Sequence, residues 1–189
     1  MKSKGGTKRG GPPPNFWKYD NEKAPLELKE FIYSQYYSAE TLSIYSDAGM
    51  RRDNKTMAIA CSYVTAGSIV VKSQRIYPPI DCLSMNVFGE LKAVLFALSH
   101  YKKYLEQCEK VVIYTDLEIV EGLLEKSINF KTNYSLKKLQ TELILQHKRE
   151  QILNPKTEIS IQFLTSNLKA YNPFFRASHN ACRRMLFDS

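Results

Sequence analysis

No run in this 189-residue chain approaches the ~18 consecutive apolar side chains needed to cross a bilayer. Its first residues, which include Lys2, Lys4, Lys8 and Arg9, lack the apolar stretch of a secretory signal. The expectation is a cytoplasmic chain with no membrane partner. Cysteine is scarce: Cys61, Cys82, Cys108 and Cys182 are scattered, form no CxxC pair and are accompanied by only three histidines. That pattern argues against a zinc site and against a disulfide framework, and it predicts small, reduced, buried thiols. Tryptophan occurs once, at Trp17, and no internal repeat is present. Acid is the scarcer charge, with 19 Asp and Glu against 27 Lys and Arg, a formal charge of +8 and a pI near 9.2. A polyanionic partner follows, nucleic acid ahead of an anionic membrane surface. Nothing in the sequence calls for an obligate protein partner.

What is abundant is core-forming material. Apolar residues make up 43% of the chain, enough for one domain and a short extra segment. Residues 1–18 carry five basic side chains and no acid, and the run GGTKRGGPPP holds neither helix nor strand. We read residues 1–40 as a flexible basic arm followed by a lead-in helix near Leu26–Tyr37, and 41–189 as the domain. The arm is either a phosphate-attracting tail or a solvated terminus, with Phe16 and Trp17 docked on the domain. From Thr41, three β-rich runs separated by turn-like residues predict an antiparallel meander. Helical spacing then covers 87–107, and VVIYTD at 111–116 reads as a buried strand. Helices over 117–128 and 135–151, a strand over 157–166 and a helix from about Phe174 complete the order β-β-β-α-β-α-α-β-α. This is an α/β fold, a mixed five-stranded sheet with helices on both faces.

Two predicted strands, 42–47 and 111–116, each end on an aspartate, Asp47 and Asp116. Ligand chemistry in α/β sheets collects at such carboxyl ends. Glu90 lies on the intervening helix beside Leu91, Val94, Leu95 and Leu98, on or next to the face that packs on the sheet. A carboxylate there is costly unless it is paired or bound to metal. Three converging carboxylates raise one another's proton affinity, and a hard, oxygen-seeking cation such as Mg²⁺ relieves that repulsion.

The segments SIYSDAG, MNVFGELKAVLFAL and VVIYTDLEIVEGLL resemble the three leading motifs of type I ribonuclease H, in order and with acids 43 and 26 residues apart. The likeness runs from about Leu42 to Leu186. It implies a ribonuclease H-like fold in which Asp47, Glu90 and Asp116 hold two Mg²⁺ or Mn²⁺ ions. The implied activity is two-metal endonucleolytic hydrolysis of the RNA strand of an RNA/DNA hybrid, leaving a 5′-phosphate. The family's fourth acid falls in a stretch that here reads Ser178-His179-Asn180-Ala181-Cys182-Arg183. On that register His179 replaces aspartate as a catalytic and metal-binding residue, which shifts preference toward Mn²⁺, or else it only packs or caps the helix. Where many members carry a histidine before that helix, this chain offers Lys169 and Asn172. Asn86 matches a position that contacts the hybrid, and Arg51, Arg52 and Lys55 in the first hairpin turn are either phosphate-binding or simply solvated. Lys126, Lys131, Lys137 and Lys138 carry the same two readings. Alternatives to an active enzyme are a degenerate member that binds nucleic acid without cutting it, and a superfamily nuclease acting on DNA.

Overall fold

Residues 41–76, rich in β-branched and aromatic side chains, form three strands: β1 (Thr41–Met50), β2 (Met57–Thr65) and β3 (Ser68–Ile76), each antiparallel to the next. The computed structural model that shows this describes residues 13–53 and 55–187. The first turn closes where the Arg51 amide donates to the Thr56 carbonyl at 2.9 Å. The second is a two-residue turn, Ala66 and Gly67, both at positive φ, the left-handed geometry that matches the twist of the strands it joins. After the helix α2 (Asn86–His100) the chain returns as β4 (Lys110–Thr115), parallel to β1, and later as β5 (Glu158–Phe163), parallel to β4. The sheet order is β3-β2-β1-β4-β5, the mixed five-stranded sheet expected.

Both faces are covered. Leu42, Ile44, Cys61, Tyr63, Val111 and Ile113 meet α2, together with α3 (Val120–Leu124) and α4 (Tyr134–Leu153). The opposite face, from Tyr45, Val64, Val112 and Tyr114, is covered by the lead-in helix α1 (Leu26–Tyr37), by Trp17 and by the start of α6 (Pro173–Phe187). Small residues Ala58 and Ala60 on β2 let the rest of α6 lie close through Ala181, Cys182 and Leu186. All four cysteines are buried and free. Among the described residues, no helix is long and apolar enough to cross a membrane.

Several boundaries differ from expectation. The strand predicted to stop at Asp47 continues to Met50, because β2 keeps pairing with it; the β1–β4 pairing ends at Tyr45, so Asp47 still lies beyond the carboxyl end of β4. The helix expected over 117–128 shrinks to five residues. Lys126 adopts a positive φ, and the Ile128 amide bonds back to the Gly122 carbonyl, ending the helix. The helix expected to reach 107 ends at His100 and tightens into a 3₁₀ turn over Tyr101–Tyr104. An unexpected one-turn helix, α5 (Ser166–Lys169), follows β5.

The basic residues Lys2, Lys4, Lys8 and Arg9 of the predicted arm lie outside the described residues. The end of that segment is packed. Trp17 is buried, its indole N–H donates to the Tyr171 carbonyl at 2.8 Å, and Phe16 makes an edge contact with Phe174.

Candidate active site

Three elements bring acid to one point. Asp47 sits on β1 past the end of β4, Asp116 immediately follows β4, and Glu90 is the fifth residue of α2. One carboxylate oxygen from each lies within 4.8 Å of the other two. The approach of α2 to β1 depends on Gly89, where an added Cβ would lie 2.9 Å from the Ala48 Cβ. Glycine therefore lets α2 pack close enough to β1 for Glu90 to reach the strand acids.

The electrostatics are those of a cluster short of positive charge. Asp47 and Glu90 are 3% and 9% exposed. Burial, reinforced by the charge of Asp116, pushes the Asp47 carboxyl up to about 6, although His179 and Lys169 pull the other way. Glu90 is raised well above the usual carboxylate range, by burial first and then by Asp116. Glu90 Oε2 and Asp116 Oδ1 are buried and have no hydrogen-bond partner among the described residues. Unpaired buried carboxylate oxygens are costly, and an all-oxygen donor set of this kind fits a hard divalent cation.

Two nitrogen groups reach the same cluster from the C-terminal segment. His179 Nδ1, on α6, lies 3.1 Å from Asp47 Oδ2, and Lys169 Nζ, at the end of α5, lies 2.7 Å from Asp116 Oδ2. The start of α6 is fixed by Asn172, whose Oδ1 accepts hydrogen bonds from the Phe174 and Phe175 amides, each at 3.0 Å. A cavity of about 660 Å³ opens over the acids, with Asn86, Lys169, Tyr171, Arg176 and His179 on its walls.

Neither a protein-family model nor a curated protein matches the sequence. Solved structures do. Ribonuclease H1 from the halophilic archaeon Halobacterium salinarum superposes with a TM-score of 0.56 at 16% identity, over 79% of this chain and 99% of that one. The fold is ribonuclease H-like. LC11-ribonuclease H1 in complex with an RNA/DNA hybrid aligns to the ribonuclease H-like chain at TM-score 0.54 and 16% identity, covering 77% and 99% of the two chains. The N-terminal ribonuclease H domain of a Mycobacterium tuberculosis protein aligns at TM-score 0.52 and 12% identity, covering 77% and 97%.

Within this ribonuclease H-like frame the residues singled out in the sequence divide into two groups. Asp47, Glu90, Asp116, His179 and Asn86 all border one cavity. Arg51, Arg52 and Lys55 do not; they lie exposed in the β1–β2 turn, where Arg51 Nε is 3.9 Å from Asp53. Tyr171, Phe175 and Arg176 border the cavity too and were not anticipated. The signal available in the sequence was helical spacing, since Phe175 and Arg176 precede His179 by four and three residues and share its side of α6.

Proposed function

We propose that this chain is a metal-dependent endoribonuclease that hydrolyses the RNA strand of RNA/DNA hybrids. The observation that carries the reading is the convergence of Asp47, Glu90 and Asp116 within 4.8 Å, two of their oxygens buried and unpaired, in a ribonuclease H-like fold. Asp47, Glu90 and Asp116 would hold the ions, Mg²⁺ or Mn²⁺, two in number. Bound there, such ions would supply Lewis-acid activation of a water and charge stabilisation at the leaving oxygen, the chemistry of a cut that leaves a 5′-phosphate and a 3′-hydroxyl.

The chain's own residues supply the remainder. His179, whose Nδ1 lies 3.1 Å from Asp47 Oδ2, would orient that carboxylate and take the part that the sequence likeness gives to a fourth acid. Asn86, at the first position of α2 on the cavity wall, is placed to hydrogen-bond a sugar or base edge. Arg176, which also borders the cavity, and Arg51, Arg52 and Lys55 in the exposed hairpin turn, would meet phosphates and supply salt-dependent affinity. One of the similar structures is itself a complex with an RNA/DNA hybrid.

A second reading, a nucleic-acid-binding module that does not cut, is favoured by one observation: Lys169 already pairs with one oxygen of Asp116. Incubating the chain with labelled RNA/DNA hybrid, duplex DNA and single-stranded RNA, with Mg²⁺ or Mn²⁺, separates the readings. The enzyme reading expects cleavage of the RNA in the hybrid alone. Binding without cleavage supports the module, and cutting of DNA supports a nuclease of different specificity.

A further inference from the structure

We propose that Lys169 is a resident counter-cation of the acid cluster, which a divalent ion must displace, so that this one side chain sets the chain's metal affinity. The inference rests on the metal reading above and deepens it. Lys169 Nζ lies 2.7 Å from Asp116 Oδ2 and 4.8 Å from the centre of the Phe175 ring, so its ammonium is held between a carboxylate and an aromatic face. A cation at that distance occupies an oxygen that a divalent ion needs and repels a second cation approaching the same carboxylate. It does not saturate the cluster, because Asp116 Oδ1 and Glu90 Oε2 have no hydrogen-bond partner among the described residues.

Displacement is structurally easy. The Lys169 side chain is 40% exposed and sits at the end of a four-residue helix, so swinging it away disturbs no core packing. Lys169 and Arg176 line the same cavity, so a displaced ammonium would still be within reach of an incoming phosphate. A polyanion that draws Lys169 off Asp116 opens the carboxylate to metal, and metal that expels Lys169 presents it to the polyanion. Binding of the two is therefore reciprocally favourable.

The test is titration of the full chain with Mn²⁺, without nucleic acid, followed by calorimetry or by the spin resonance of free Mn²⁺. Native protein is compared with Lys169→Met, Lys169→Gln and Lys169→Arg, each checked for a native-like circular dichroism spectrum. Loss of the charge should tighten Mn²⁺ binding about threefold to fivefold, the upper part of what a partly exposed ion pair contributes, and Lys169→Arg should stay within about twofold of native. Equal or weaker binding in the Met and Gln variants, or tightening in the Arg variant as well, overturns the inference and leaves the metal site standing. Absence of Mn²⁺ binding in native and variant proteins alike removes both.

Discussion

Asp47 is the residue at which the cluster's electrostatics can be read most directly. Burial, with the charge of Asp116, pushes its carboxyl up to about 6 from the ordinary value near 3.8, so the folded state holds the proton more tightly. The sign follows: the stability that protonated Asp47 contributes is present below about pH 4 and is lost as the pH rises toward 6. With divalent ions chelated, thermal denaturation should show native protein losing on the order of 2 kcal/mol across that window through this group, and Asp47→Asn should flatten the slope. A slope unchanged by the substitution would mean that the carboxyl is not strained. Added Mg²⁺ should restore stability above pH 6 in native protein and not in the variant. The three acids were legible in the sequence because an acid after a strongly β-forming run or among helical leucines has few inexpensive positions. The ion pair of Lys169 with Asp116 was not, since it spans 53 residues and depends on how β5 delivers the chain into α5.

The contact of α2 with β1 is the element on which the geometry turns. At Gly89 an added methyl would lie 2.9 Å from the Ala48 Cβ, closer than carbon atoms tolerate. Gly89→Ala should therefore destabilise the fold by about 1–3 kcal/mol in urea unfolding and push Glu90 away from Asp47, weakening Mn²⁺ binding as well. A variant as stable as native protein that binds Mn²⁺ equally well would contradict that packing. Most elements could be read from periodicity, because α2, α4 and the strands are long enough to impose it. The short pieces could not. The break at Lys126 that confines α3, and the single turn of α5, are set by local hydrogen bonds with no periodic signature. The strand read as ending at Asp47 was three residues too short because its length is decided by the partner strand β2.

For the whole molecule, the N-terminal segment is more than a lead-in. Trp17 packs with Phe16, Tyr33 and Phe174, and its indole ties down Tyr171, on the loop between Lys169 and α6. The Asp20–Arg176 ion pair joins the same parts at 3.4 Å. Trp17→Ala should cost about 3–5 kcal/mol by chemical denaturation, as removal of a buried aromatic does. A loss below about 1 kcal/mol would show that the segment only rests on the domain. Docking of the aromatics was legible from their apolar character, but their link to the loop beside the acids was not, because it joins residues 154 positions apart. One comparison decides whether the acid cluster is a metal-dependent hybrid-cutting site: cleavage of a labelled RNA/DNA hybrid with Mg²⁺ or Mn²⁺ by native protein and by Asp116→Asn. Native protein should cleave, and the variant should lose at least about a hundredfold of that activity. Cleavage that survives the substitution, or none from folded native protein that still binds the hybrid, would contradict it.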